Sequence, residues 1–232
     1  MKTDRFTVDS DGHTLVGDCT SSPVSMRLLC LHGAGTSDRK RFDPLRNILI
    51  DKSLNSYAFD FTGHGETGGD LFSSSLKNRV DQALAVIDAQ QIIEPLSIIA
   101  SSMGGYIGIK LTNMRAVKNL ILIAPAVYDV QAYTAIFGPQ FTEAIRRSYS
   151  WRDTDAWEIL ANYTGNLVIF AAEKDQVIPN EIIQKIYTSA QKARTRDIIT
   201  IPDATHSLLS WLNERPDFLH SVAKEICKTV LS

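Results

Sequence analysis

Cysteine is scarce in this chain: Cys19, Cys30 and Cys227 are the three in 232 residues, far apart and without a C-x-x-C pair. That usage excludes a disulfide-stapled framework and offers no thiolate cluster to zinc. Cys30, inside "RLLCL", reads as a small buried hydrophobe. No histidine–carboxylate cluster has metal-ligand spacing, so no metal is expected. An excess of one charge is missing too. The 24 Lys and Arg against 26 Asp and Glu leave a net charge of −2, which gives no reason to expect nucleic acid as the main partner. No apolar run approaches the ~18–20 residues that cross a bilayer, so no membrane span is expected. The opening "MKTDRFTVDSDGHT" has no apolar core of a secretory signal, which makes the cytoplasm the expected location. Repeats, low-complexity tracts and evident linkers are absent as well. One domain over 1–232 is the expectation, and nothing indicates a homo-oligomer.

What is present is an alternation. "RFTVD" and "TLVGDC" flank "SDGH" and read as a hairpin with Asp11-Gly12 in the turn. "RLLCL", "SYAFD", "LSIIA", "NLILIA" and "LVIFAA" are near-continuous hydrophobic runs, as strands of a parallel sheet with helices on both faces should be. "DIITI" is a further short strand. Helices open between them. Asp43 reads as an N-cap followed by Pro44 at the first helical position. Ser75 opens "LKNRVDQALAVIDAQQ", where Val80, Leu84 and Ile87 make an i, i+4, i+7 stripe. Pro179 and Pro216 open two more. Strands alternating with helices indicate an α/β domain.

One segment breaks that rhythm. Residues 127–157 contain no strand-like run, yet they hold Tyr128, Tyr133, Phe137, Phe141, Tyr149, Trp151 and Trp157. An insertion so rich in aromatics should cover something apolar, and it is too short for a domain and long for a loop. It reads as a small lid.

The run "LSIIASSMGGYIG", 96–108, ends a buried-looking strand on two serines and two glycines. In a strand–turn–helix elbow the residues two before and two after a nucleophile crowd together and must be small. For Ser101 these would be Ile99 and Met103; for Ser102 they are Ala100 and Gly104. Ser102 is therefore the candidate nucleophile, with helix capping as the alternative role. Alanine departs from the strict G-x-S-x-G pattern.

A serine hydroxyl needs a base, and the base needs a partner to fix its tautomer. His13 lies in the hairpin turn and His220 inside the last helix. His32 and His64 sit in glycine loops after earlier strands. His206, in "ITIPDATHSLLSW", follows the last strand, where α/β proteins place their ligands. It is the candidate base. Asp175, past the end of "VIFAAE", can reach across to it, with Glu173 as the second-best orienter. Two backbone N–H groups suit a developing oxyanion: that of Met103, after the nucleophile, and that of Ala34, in the glycine-rich turn "LLCLHGAGTS". His32 fits a loop-bracing role better than that of a base.

"LHGAG", "FDFTGHGET", "ASSMGG", "AAEKDQVIP" and "DATHSLLSW" together resemble the α/β-hydrolase superfamily in order and spacing. They are most similar to its small esterase, monoacylglycerol-lipase-like and serine-aminopeptidase-like branch, over essentially the whole chain. The order Ser102, Asp175, His206 is also the order of that superfamily. The resemblance implies an eight-stranded, mostly parallel sheet with its second strand antiparallel and a triad at its C-terminal edge. It implies a hydrolytic mechanism without a cofactor, and architectural roles for His64 and Gly65. A known variation in that superfamily makes Asp129, after "LIAPAVY", a third candidate for the acid.

The expected activity is cleavage of a carboxylic ester of a small to medium acyl or aryl substrate through an acyl-enzyme. A thioesterase acting on a CoA or carrier-protein thioester would use the same residues, and an amidase or peptidase stands third. A small-molecule receptor or interaction module on the same fold is the alternative of another class. Phe137, Trp151 and Trp211 are candidate pocket walls, each equally suited to plain packing. Arg39, Lys40 and Arg41, with Arg146, Arg147 and Arg152, would suit a phosphopantetheine, CoA or carboxylate-bearing substrate, or are simply solvated loop charge.

Overall fold

The computed structural model describes residues 3–20 and 27–232. Strands β1 (Thr3–Ser10) and β2 (His13–Thr20) form the antiparallel hairpin. Its turn residues Asp11 and Gly12 have φ of +50° and +76°, the conformation that lets a two-residue turn follow the strand twist. Then follow β3 (Arg27–Leu31), β4 (Asn55–Phe59), β5 (Leu96–Ser101), β6 (Val117–Ile123), β7 (Asn166–Ala172) and β8 (Thr195–Ile201). They make one eight-stranded sheet in the order β1-β2-β4-β3-β5-β6-β7-β8. From β4 to β8 every pairing is parallel, and β2 runs antiparallel to both its neighbours. This is the α/β-hydrolase arrangement.

The unbroken apolar runs have a simple cause. Successive side chains leave a strand on opposite faces, and here both faces are covered. Leu29, Ile98, Ala100, Leu120, Leu122, Leu167 and Ile169 join one apolar layer, while Leu28, Cys30, Ile99, Ile121, Ile123, Val168 and Phe170 join the other. Helices α2 (Leu76–Ala89), α3 (Met103–Leu111), α5 (Ala156–Asn162) and α6 (Asn180–Ser189) lie on the first layer. Helices α1 (Asp43–Ile50), α7 (Leu208–Asn213) and α8 (Pro216–Leu231) lie on the second. Cys30 is buried, which pushes its thiol up to about 12.

Two local expectations are corrected, and one helix goes unannounced in the sequence. Asp43 is the first residue of α1 rather than its cap, because Arg39–Phe42 already form a 3-10 turn that leads straight into the helix. The buried stripe of α2 is Leu76, Arg79, Val80, Ala83, Val86 and Ile87, with Leu84 only half-buried at its edge. Helix α7, six residues without a side-chain cap, gave no start signal in the sequence.

Between β6 and β7 the chain makes a 3-10 turn (Val130–Ala132), α4 (Pro139–Arg146), a second 3-10 turn (Ser150–Asp153) and α5. This segment is tied down at both ends onto α3. At its start the Ala126 N–H donates to the Ser102 carbonyl at 3.0 Å. Near its close Asp155 accepts from Tyr106 Oη at 2.9 Å and from Lys110 Nζ at 2.5 Å. Its middle rests on the start of α2, where Lys77 N–H donates to Tyr133 O and Phe137 N–H to Ser74 O, both at 2.9 Å. Among the described residues no helix is long and apolar enough to cross a membrane.

Candidate active site

Parallel strands end on one edge of the sheet, and the sharpest turn there is the one after β5. Ser102 sits at φ +49°, ψ −116°, a conformation that costs a residue with a side chain about 1–3 kcal/mol. The surroundings enforce it. Ser102 N–H donates to Ile123 O at 3.0 Å, and its carbonyl accepts from Gly105 N–H at 2.9 Å as well as from Ala126. The small flanking residues follow from contact distances. A Cβ on Gly104 would stand 2.3 Å from Leu31 O and 2.7 Å from His32 O, so position 104 is closed to any side chain. Ala100 fits two residues before Ser102 because the helix residue facing its methyl is Gly108, where an added Cβ would lie 3.3 Å away. That glycine explains how the elbow tolerates alanine where glycine is usual.

Ser102, not Ser101, is brought to the imidazole: Oγ of Ser102 lies 3.0 Å from Nε2 of His206. Nδ1 of His206 lies 2.9 Å from Oδ2 of Asp175. The other oxygen, Oδ1 of Asp175, accepts from Val177 N–H at 2.8 Å and Ile178 N–H at 2.9 Å, which fixes the carboxylate plane. Burial pushes the Asp175 carboxyl up, but the bond to His206 and the two backbone N–H groups outweigh it and hold it below the ordinary value. With Asp175 ionised, Nδ1 of His206 carries the proton and Nε2 faces Ser102 as an acceptor.

Glu173 turns elsewhere and accepts from Asp203 N–H at 2.8 Å, bracing the loop that leads to His206. Asp129 is fully buried, accepts from Gln131 N–H at 2.7 Å and pairs with Arg147. Neither is the carboxylate on His206.

Met103 opens α3, so its N–H has no acceptor within the helix. Ala34 is exposed beside Gly33, where an added Cβ would lie 3.1 Å from Ser102 Cβ. The aim of the Ala34 N–H is set from behind. His32 is buried; its Nδ1–H donates to Gly33 O at 2.7 Å, and its Nε2 accepts from Phe61 N–H at 3.1 Å. A trans peptide points its C=O and N–H in opposite directions. Pinning Gly33 O inward therefore turns Ala34 N–H outward. Burial, then the neighbouring Arg79 and His64, holds His32 well below the ordinary imidazole value, so it stays neutral in this brace.

Further support comes from an ion cluster behind this turn. Asp60, at the end of β4, is fully buried and accepts from Arg39 N–H at 2.7 Å and Glu66 N–H at 2.9 Å. The Arg39 guanidinium, read as a substrate contact or as solvated loop charge, is instead buried on Asp60, Asp18 and Glu66. Gly65, at φ +46°, lies so close to Asp60 that a Cβ would meet Oδ2 at 2.2 Å. Loops 36–40 and 61–68 thus share one carboxylate, which stiffens the turn carrying Ala34.

A cavity of about 80 Å³ opens over Ser102, lined by Gly33, Ala34, Ser37, Arg41, His206 and Leu209 among others. Phe137 lines a second, of about 230 Å³, which also reaches Ala34 and Met103. Trp151 lines a third, of about 530 Å³, with Tyr149 and with Val177 and Ile178, the two residues whose N–H groups hold Asp175. Trp211 stacks on Phe218 at 5.1 Å under the Arg215 guanidinium, joining α7 to α8; Leu209 and Ser210 of the same helix line the cavity over Ser102.

Solved structures share this architecture. The esterase EaEST from Exiguobacterium antarcticum superposes with a TM-score of 0.73 at 18% identity, over 97% of this chain and 99% of that one. Est1E from Butyrivibrio proteoclasticus, solved with ferulic acid bound, superposes at 0.73 and 16% identity over 98% of this chain and 100% of that one. The thioesterase domain from the curacin biosynthetic pathway gives 0.73 at 15% identity, again over 98% and 100%. At such identities the likeness is one of fold. A sequence relative is the multifunctional-autoprocessing repeats-in-toxin protein of Vibrio cholerae serotype O1, 30% identical over 123 residues. That match takes in 50% of this chain and spans only 3% of the toxin's length. The profile of the family described as serine aminopeptidase, S33, matches residues 22–153, a stretch from before β3 through the Ser102 elbow to the second 3-10 turn, and the chain belongs to that family.

Proposed function

We propose that the protein is a serine hydrolase cleaving carboxylic esters of small to medium acyl or aryl substrates. The observation that carries this reading is the unbroken chain Ser102 Oγ–His206 Nε2 at 3.0 Å and His206 Nδ1–Asp175 Oδ2 at 2.9 Å, set on a strained elbow. Ser102 Oγ attacks the ester carbonyl carbon while its proton passes to His206 Nε2. The carbonyl oxygen, now negative, is held by the N–H groups of Met103 and Ala34. As the tetrahedral intermediate collapses, the bond to the alcohol oxygen breaks and His206 hands its proton to that oxygen. Water, giving a proton to the same Nε2, then attacks the acyl-enzyme and releases the acid and free Ser102. Asp175 keeps the imidazole in the productive tautomer throughout. Residues 127–157 serve as a lid, with Phe137 and Trp151 as acyl-pocket walls.

Thioesters are the second reading, since the same residues expel a thiolate as readily as an alkoxide; the curacin domain is a thioesterase on this fold. The test is covalent labelling by a fluorophosphonate together with a panel of p-nitrophenyl esters, thioesters and anilides. Labelling and ester turnover should both vanish in Ser102→Ala and persist in Ser101→Ala. Loss in Ser101→Ala instead would overturn the assignment, and labelling without turnover of any panel member would favour a receptor.

A further inference from the structure

Charged side chains are rarely buried without a counter-charge, because desolvation is costly. Arg79 is such a case. It occupies a core position of α2, is 1% exposed, and none of the ion pairs among the described residues involves it. Its guanidinium is held between the rings of Phe61 and Phe137, each 4.8 Å from Cζ. Its Nε and Nη1 have no hydrogen-bond partner. Burial without a carboxylate pulls it down to about 10, still protonated at neutral pH.

The neighbouring imidazole adds a third orphan. Arg79 Nη2 lies 3.3 Å from His64 Nδ1. The same Nδ1 lies 3.4 Å from Thr62 O; a guanidinium only donates and a carbonyl only accepts, so the two contacts call for opposite tautomers of His64. Its Nε2 is buried and also has no partner. Two Arg79 donors and the His64 Nε2 are therefore buried without partners, where buried polar groups are normally paired. Both residues line the cavity of about 230 Å³ that also touches Ala34 and Met103. Its volume is worth about eight waters at ~30 Å³ each, enough for a chain of a few carbons ending in a carboxylate.

The cavity's position decides which half of a substrate enters it. The leaving oxygen must stand next to His206, which protonates it, and His206 lines the other cavity, over Ser102. The Arg79 cavity reaches the two oxyanion residues and is not lined by His206. We propose that Arg79 binds a carboxylate at the far end of the acyl group, so that the enzyme's preferred substrates are half-esters of short dicarboxylic acids. This rests on acylation of Ser102 as described above. Arg79 supplies the positive charge and an unpartnered N–H donor to that carboxylate.

The experiment compares kcat/KM for mono-p-nitrophenyl glutarate with that for p-nitrophenyl valerate, which has the same chain length and no charge. Inhibition of valerate hydrolysis by free glutarate and by free valerate is measured alongside. In the wild type the half-ester should be favoured about tenfold or more, chiefly in KM, and glutarate should be the stronger inhibitor by a similar factor. Arg79→Met should erase the preference, Arg79→Lys should keep part of it, and Arg115→Gln, a distant surface change, should keep it whole. A purely structural Arg79 predicts lower stability of Arg79→Met with an unchanged substrate ratio. If Arg79→Met does not fold, the wild-type ratio and Arg79→Lys decide. Valerate turnover with no preference for the half-ester and no glutarate inhibition overturns the carboxylate site and leaves the hydrolase intact. Failure to turn over either ester retires both.

Discussion

Acidification should lower the stability of the fold through the brace behind the turn that carries Ala34, and its cost can be worked out. His32 is neutral in the folded protein because burial holds it well below the ordinary value and because Nε2 is occupied as an acceptor for Phe61 N–H. In the unfolded chain the same imidazole takes up a proton near pH ~6.5. Below that pH the unfolded state binds more protons than the folded state, so stability is fully present above it and falls as the pH drops toward the folded value. For an imidazole that stays neutral in the fold, the loss is on the order of 1 kcal/mol at pH 5.5 and about 2 kcal/mol at pH 5.0. For a chain of this size the first figure amounts to roughly 2–4 °C in Tm. The assay is thermal unfolding followed by circular dichroism from pH 7.5 to 5.0, for the wild type and His32→Gln. Glutamine can accept from Phe61 N–H but has no proton to take up. His64, held down by burial and then by Arg79, tilts both curves the same way and cancels in the difference. The curves should converge as the pH falls, by the amounts given. Parallel curves would show that His32 is not a neutral brace.

Asp175→Asn should lower kcat by about 10⁴-fold by favouring the wrong tautomer of His206, whereas Glu173→Gln, which keeps an acceptor for Asp203 N–H, should be far milder; steady-state kinetics on one ester separates them. Gly104→Ala should cost about 1–3 kcal/mol, read as a lower urea midpoint, and should also depress kcat, since its methyl can be housed only by moving Ser102 away from Leu31 and His32; unchanged kinetics would contradict the contact argument. Chain-length preference should flatten in Phe137→Ala and Trp151→Ala. In the wild type each buried methylene is worth about 0.8 kcal/mol, or roughly fourfold in kcat/KM, so an unchanged slope with a lower Tm would make these aromatics packing residues only.

The strands were legible in the sequence because a sheet covered on both faces leaves no alternation to misread, and Leu28 to Leu31 or Leu120 to Ile123 show as unbroken apolar runs. The elbow was legible because crowding admits only small residues around one of two serines. What escaped notice was assembled by tertiary contact. Asp18, Arg39 and the pair Asp60 and Glu66 come from three separate segments, so no local spacing announces their shared ion cluster. Arg79 did carry a signal: it falls three after Leu76 and four before Ala83, on the face that must be apolar. Taking Leu84 as part of the stripe rotated that face and hid it.

The segment between β6 and β7 is buckled to α3 at both ends, by Ala126 on the Ser102 carbonyl and by Asp155 on Tyr106 and Lys110. Those anchors are Ser102 and two residues of α3, the helix that follows it, while His206 and Asp175 lie past the ends of β8 and β7. The stretch between the buckles is held in its middle as well, by Tyr133 and Phe137 on the start of α2. A graft that keeps these four points can redraw the roof of the cavities without touching the strands that carry His206 and Asp175. Recombination within this architecture has the same freedom, and diversification of what the site accepts needs no re-evolution of how it reacts.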